Sequence, residues 1–447
     1  MIMRLSWLEV SERIKYELKQ REEEGSNVQG LLNDWKQIEA SGLSRADFEF
    51  QANSFYQKLS EIPNQIKNEN EEPVLWNDLE VKCKICSDEI PSFTSTFIED
   101  RTLGGWLGRS AGCLLGKPVE KIYRDGIKEL LSSNNTWPIK DYISEIGIPK
   151  LLLEKYPWNR HNGKESLKEN IKCMSEDDDM NYPMVNLSVY ERYGNELTTE
   201  NILQVWMETM PVLSTFTAER VAYVNGLNGL LPPDTALVKN PYREWIGAQI
   251  RADLWGWISP AQPAGAAELA WRDARLTHSR NGMYGEIFFA AIIALCYKYK
   301  SIEEIINNAL TYVPPKSRFA EAVRFVLSIP VQTQPWEDTV DLLYKEFGSY
   351  HWVHTINNAA LVVAALLSSN EDYEKGICNV VMGGWDTDSN GATVGSILGT
   401  MIGADKLPSK WISPLNDRIR SSLKGFDNSR ISDLSNRTIK ITNYKNK

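Results

Sequence analysis

The stretch that decides the fold runs from Gly384 to Gly403, GWDTDSNGATVGSILGTMIG. It opens on four oxygen-bearing side chains, Asp386, Thr387, Asp388 and Ser389, and continues as a helix whose glycines recur at Gly391, Gly395, Gly399 and Gly403. Steps of four keep those glycines on one slowly winding face. A glycine inside a helix costs about 0.8–1 kcal/mol relative to alanine, so a stripe of them points to close approach of a second backbone. The hexapeptide before the stripe reads as a metal-ligand turn at the mouth of that helix.

A matching stripe lies far upstream in GGWLGRSAGCLLGKPVE, residues 104–120, with glycines at Gly104, Gly108, Gly112 and Gly116. Pro118 cannot continue this helix, so Glu120 falls just beyond its C-terminus. Asp386 and Asp388 fall just before the N-terminus of the other. Antiparallel packing would bring these ends together, whereas parallel packing would hold them about 20 Å apart at 1.5 Å per residue. Two halves of one site are therefore expected, on an antiparallel pair. Arg109 within the first stripe argues against a membrane dimerisation motif.

A second acidic run, Glu176-Asp177-Asp178-Asp179, precedes Pro183 and the apolar positions Val185, Leu187 and Tyr190, which places it too at a helix N-terminus. Alone, four acids read as a solvated loop. Beside Asp386, Asp388 and Glu120 they would repel one another unless protons or cations intervened. Ligands that are all oxygen select hard cations; magnesium is expected, with manganese or calcium as alternatives.

The rest of the chain reads as helices, with apolar periodicity in segments such as 202–210, 286–299 and 354–367 and no convincing alternating strand. The expected organisation is a small helical module and linker over residues 1–95, with the linker at 64–73, then an all-α catalytic domain over 96–430 and a polar, fraying tail over 431–447. The 447 residues are 42% hydrophobic, enough for a substantial core. A net charge of −10 argues against bulk nucleic-acid binding. Charges interrupt the first 16 residues, and the longest apolar run, 287–297, is too short to span a bilayer. A cytoplasmic protein without membrane association is expected.

Of six scattered cysteines only Cys83 and Cys86 have zinc-like spacing, and with no second pair they read as ordinary thiols. His351 and His354, at i, i+3 spacing, read as structural. Ser279 to Gly285 forms a polar, glycine-bearing loop whose backbone could meet phosphate at a helix start. The first glycine stripe lacks a Gly-Lys-Ser/Thr ending, so nucleoside triphosphate hydrolysis is not expected.

Asp100-Arg101 with GGWLGRSAGCLLGKPVE, the run EDDD, Leu276-Thr277-His278 and GWDTDSNGATVGSILGTMIGA occur in this order over residues 100–415. Together they resemble the ADP-ribosylglycohydrolase family, which includes dinitrogenase reductase-activating glycohydrolase. The resemblance implies a compact, orthogonal multi-helix all-α fold with two magnesium ions in a cleft. It implies release of ADP-ribose from a modified protein side chain, nucleic acid or small molecule. Carried over residue by residue, it makes Glu120 the catalytic acid/base, and Asp177, Asp178, Asp179, Asp386, Asp388 and Ser389 the metal ligands. His278 becomes a contact to ADP-ribose, with Tyr284 and Gly285 beside it as substrate-binding positions. Two positions depart from the family pattern: Asp177 stands where Thr or Ser is usual, and Met180 where a threonine commonly follows. The register of the acidic run could also shift by one, drawing in Glu176. Two alternatives stay open: a hydrolase of another ribosyl or nucleoside-like glycoside using the same metals, and a non-catalytic ADP-ribose-binding protein.

Overall fold

Two helices whose glycines face each other set the centre of the molecule. In the computed structural model, which describes residues 6–63, 69–83, 85, 90–442 and 444–446, the helix Ser95–Gly116 packs against the helix Thr387–Ile402. Gly104 lies against Gly399, Gly108 against Gly395, Gly112 against Gly391 and Gly116 against Thr387. Numbers fall along one helix as they rise along the other, so the pair is antiparallel. A Cβ at any of these four positions would fall closer to the facing carbonyl oxygen than real Cβ atoms come. That contact is what offsets the helix propensity lost at each glycine.

Local sequence explains both ends. Thr94 caps the first helix by accepting from the Phe97 N–H at 3.3 Å, and the Lys117–Val119 turn containing Pro118 stops it. The second helix starts from a reversed backbone, with Gly384 at φ 79° and Trp385 at φ 53°, and ends at Gly403 with φ 86°. Around the pair, helices Arg280–Leu295 and Thr355–Ser369 are buried almost throughout, as expected for helices apolar on every face. The described residues hold 22 α-helices and one two-stranded parallel sheet, Ser92–Phe93 with Lys445–Asn446, so the fold is all-α. No helix among them is long and apolar enough to cross a membrane.

Helices Val10–Glu23, Gln29–Glu39 and Arg45–Glu61 form the N-terminal module around its own core of Ile14, Leu18, Trp35, Phe55 and Leu59. Charge docks it onto the main body. Glu17 and Glu24 pair with Arg243 at 2.8 and 3.0 Å, and Gln20 donates to Glu244 at 2.8 Å.

Two segments expected to be loose, the linker and the tail, are held by buried contacts. Of the linker, residues 64–68 lie outside the described residues, but Glu72 is buried, holding Arg318 and accepting from Asn281. The following helix, Trp76–Cys83, places Leu79 and Cys83 in the main core. Charges that read as solvated are matched by a partner almost 250 residues away. Cys86 lies outside the described residues. The polar tail is in fact a helix, Ile431–Ile441, whose Ile431, Leu434 and Thr438 are buried against the first glycine helix; the Trp106 indole donates to Thr438 Oγ1 at 3.1 Å.

Candidate active site

The C-terminus of the first glycine helix and the N-terminus of the second coincide, tied by the Thr387 hydroxyl donating to the Gly116 carbonyl at 2.8 Å. From there the Lys117–Val119 turn turns Glu120 back toward the second helix. Carboxylate oxygens of Glu120, Asp386 and Asp388 lie within 4.8 Å of one another. Asn159 donates its amide to Glu120, and Lys121 pairs with the other oxygen at 3.0 Å.

The opposite wall is the helix Asp178–Tyr193. Asp177 caps it by accepting from the Asp179 N–H at 2.9 Å, which puts Asp178 and Asp179 in the first turn, where the helix dipole favours negative charge. Ser389 Oγ donates to Asp179 at 3.1 Å and so links the two walls. Arg109, fully buried in the glycine stripe, donates to the Asp179 carbonyl at 3.0 and 2.7 Å and to Asp253 at 2.6 Å. It fixes the turn that presents the acids.

A lysine completes the cluster. Buried Lys117 contacts Asp177 and stands 3.7 Å from Asp388. Asp177 thus does two jobs: one oxygen caps the helix, as a threonine hydroxyl would, and the other receives an ammonium. Glu176 is half-buried, 2.5 Å from His161 and accepting from Asn181 at 2.8 Å. Glu120, Asp178, Asp179, Asp386, Asp388 and Ser389 all line one cleft of about 430 Å³, a size within the range of small-molecule sites.

The carboxyls strain against one another. Burial and then Asp388 push Asp386 well above the ordinary carboxyl range, and burial and then Glu120 raise Asp388 to about 7, with Lys117 opposing. Burial followed by Asp177 raises Asp178 and Asp179. Asp177 moves down: burial would raise it, but the charge and hydrogen bond of Lys117, with the Asp179 N–H, together outweigh that burial. Acids raised by burial and by each other must hold protons or a cation. An all-oxygen donor set at this spacing fits a hard divalent ion.

The ADP-ribosylglycohydrolase family model matches residues 94–441. The chain belongs to the ADP-ribosylglycohydrolase family. Among solved structures it is similar to one described as an ADP-ribosylglycohydrolase-related protein complex, at 17% identity and a TM-score of 0.48, covering 78% of this chain and 100% of that one. No curated protein matches it. The family match spans both glycine helices, the acidic run and the terminal helix, and leaves the N-terminal module outside.

Three expected substrate residues, His278, Tyr284 and Gly285, do not line the cleft. His278 is buried behind Glu219, 3.9 Å from it, with Nδ1 2.7 Å from Thr277 Oγ1 and no hydrogen-bond partner for Nε2 among the described residues. Tyr284 donates to the Pro73 carbonyl at 2.6 Å, and Gly285 packs against Thr355 and Gln249. The physical reason is that the helix begins at Arg280: Tyr284 and Gly285 fall after its first turn, where N–H groups bond within the helix, and in the first turn the Asn281 N–H donates to Glu244 and the Gly282 N–H to the Ser279 carbonyl.

What the sequence reading passed over are Lys117 and Asn159 in the cleft, Arg109 behind it, and aromatic walls including Trp7, Tyr16, Phe216, Trp245 and Trp352. A charge inside a glycine stripe was the available signal for Arg109; Lys117 follows the last glycine and offered none. The aromatics carried none, being scattered along the chain. His351 stacks on Trp245 at 4.2 Å and lines the cleft beside it, whereas His354 caps the helix Thr355–Ser369.

Proposed function

We propose that this protein is a divalent-cation-dependent hydrolase that cleaves the glycosidic bond at C1 of the distal ribose in an ADP-ribosylated substrate and releases ADP-ribose. The observation that carries the reading is the convergence of Glu120 with Asp386 and Asp388, across one cleft from Asp178 and Asp179. Glycosidic cleavage passes through an oxocarbenium-like state, which nearby carboxylates favour, and needs a proton donor or acceptor and a positioned water. Glu120 suits the proton-transfer role: its side chain is 14% exposed, at the edge of the acidic cluster, and Asn159 and Lys121 fix its orientation. In that role it activates the water or protonates the leaving group.

Asp178, Asp179, Asp386, Asp388 and Ser389 are the residues that would hold magnesium, or manganese in its place. Asp177 supports them from behind, since its oxygens are engaged by the Asp179 N–H and by Lys117. When bound, the ion lowers the pKa of a water and orients ribose hydroxyls. Neither departure from the family pattern favours a different glycoside: Lys117 compensates the extra charge of Asp177, and Met180 is fully buried outside the cleft.

The test is to incubate the protein and magnesium with ADP-ribosylated arginine, serine, nucleic acid and small molecules and to measure free ADP-ribose. Release from at least one, abolished by chelation, is expected. ADP-ribose binding with no release from any would make the protein a binding module instead.

A further inference from the structure

We propose that the N-terminal module is a built part of the substrate cleft, where Trp7 and Tyr16 form an aromatic subsite for a planar ring carried by the substrate. The inference rests on the glycohydrolase reading and assigns the module a share in it. Both residues lie outside the family match at 94–441, yet they line the same cavity as Glu120, Asp178 and Asp386.

Trp7 is held in place by several contacts. Its backbone is left-handed, at φ 66°, a conformation a bulky residue adopts only where its surroundings enforce it. Its N–H donates to Glu12 at 2.8 Å, and its carbonyl accepts from Arg13 Nε at 2.8 Å. The Arg220 guanidinium covers one face of the indole at 4.8 Å, and Phe216 meets the ring edge-on at 5.7 Å. The indole is thus gripped by the main domain, half-buried, at the wall of the cleft.

Tyr16 stands nine residues further along the chain, on the helix Val10–Glu23. Its ring meets Trp245 at 5.5 Å and His351 at 5.7 Å, both edge-on, and those two rings stack on each other. The helix that carries Tyr16 cannot slide. On the turns that flank Tyr16, buried Arg13 donates to the Lys239 carbonyl at 3.1 Å, Glu17 pairs with Arg243 and Gln20 donates to Glu244. Hydrogen-bonded, buried anchors on both sides hold the ring to the geometry that selective binding requires.

Two half-buried aromatic side chains within the cavity that holds the carboxylates suit a ligand with a polar sugar at one end and a planar π-system at the other. That ring is either the adenine of the ADP-ribosyl group or an aromatic group attached at the bond to be cleaved. Stacking a ring on an aromatic side chain is worth about five- to 150-fold in affinity by alanine substitution.

The experiment uses the full-length protein with magnesium and titrates three probes by calorimetry: ADP-ribose, phenyl α-D-ribofuranoside 5-phosphate and ribose 5-phosphate. Trp7→Ala and Tyr16→Ala should each weaken at least one of the two ring-bearing probes by about tenfold while leaving ribose 5-phosphate unchanged, and Trp7→Phe should restore most of the loss. Loss confined to ADP-ribose assigns the ring to adenine, and loss confined to the phenyl riboside assigns it to the departing group. Unchanged binding of both ring-bearing probes overturns the proposal. So does an equal loss on ribose 5-phosphate, which would make the residues merely structural. If the unaltered protein binds none of the probes, the glycohydrolase reading itself fails, and the subsite with it.

Discussion

Lys117 carries a positive charge into the most acidic part of the molecule, and everything around it is arranged to keep that charge. Asp177 and Asp388 outweigh its burial and hold the ammonium well above its ordinary range. Breaking a buried ion pair from one side leaves the other charge unpaired, at about 3–5 kcal/mol. Lys117→Met should therefore destabilise the protein by about that much in denaturant unfolding. The double variant Lys117→Met/Asp177→Thr should recover most of the loss, since it removes both charges and keeps an oxygen for the helix cap. Additive losses would mean that the two residues act independently. None of this pairing was legible beforehand, because Lys117 looks in sequence like the last residue before a proline, and its partner lies 60 positions away. Asp177 was legible as one acid of the run and as a departure from the family pattern, but not as the partner of a lysine.

The antiparallel glycine pair is the element on which the site depends. Adding a methyl group at Gly112 drives it into the Gly391 carbonyl, backbone against backbone, which neither helix can relieve without moving Asp386 and Asp388. Gly112→Ala should cost about 3 kcal/mol or more by overpacking and should lower magnesium affinity as well. Gly30→Ala is the control: that helical position has nothing within 4 Å, and alanine there should be neutral or stabilise by up to about 1 kcal/mol. Thermal melts of the two variants, with calorimetry for the metal, decide the point. Equal stability of both would remove the close-packing account. This element was readable because its signal is local and repeated, four residues apart, on both partners. The terminal helix was not, because the face it buries includes Ser435 and Thr438, small polar residues that read as tail. The turns after Ser279 were misjudged for a similar reason: Asn281, Gly282 and Tyr284 look like loop residues but lie inside a buried helix.

At the scale of the whole molecule, the acidic cleft makes stability depend on pH and on metal together. Asp178, Asp179, Asp386 and Asp388 are all raised by burial in the folded state, Asp388 to about 7, and burial likewise raises Glu219 in the cleft wall to about 7. Groups whose folded pKa lies above the unfolded value contribute stability that is full at low pH and is lost as pH rises through the folded value. The metal-free protein should therefore melt lower at pH 8 than at pH 6. A divalent ion binds the deprotonated carboxylates, so magnesium should raise the melting temperature more at pH 8 than at pH 6. Scanning calorimetry with chelator and with magnesium at the two pH values checks both signs. A magnesium shift independent of pH would place the ion somewhere other than this cluster. Sequence alone supplied the acids and the helices that carry them, but not the way the N-terminal module closes on the cleft. That closure depends on ion pairs such as Glu17 with Arg243, whose partners are more than 200 residues apart.

The central claim is that Glu120 transfers the proton in glycosidic cleavage while the surrounding aspartates hold the ion. The most direct measurement compares ADP-ribose release by the unaltered protein and by Glu120→Gln, each saturated with magnesium, on the substrate that the panel identifies. The account predicts turnover lower by about 10²- to 10⁴-fold with magnesium and ADP-ribose affinities retained. Turnover within a few-fold of the unaltered protein would contradict it.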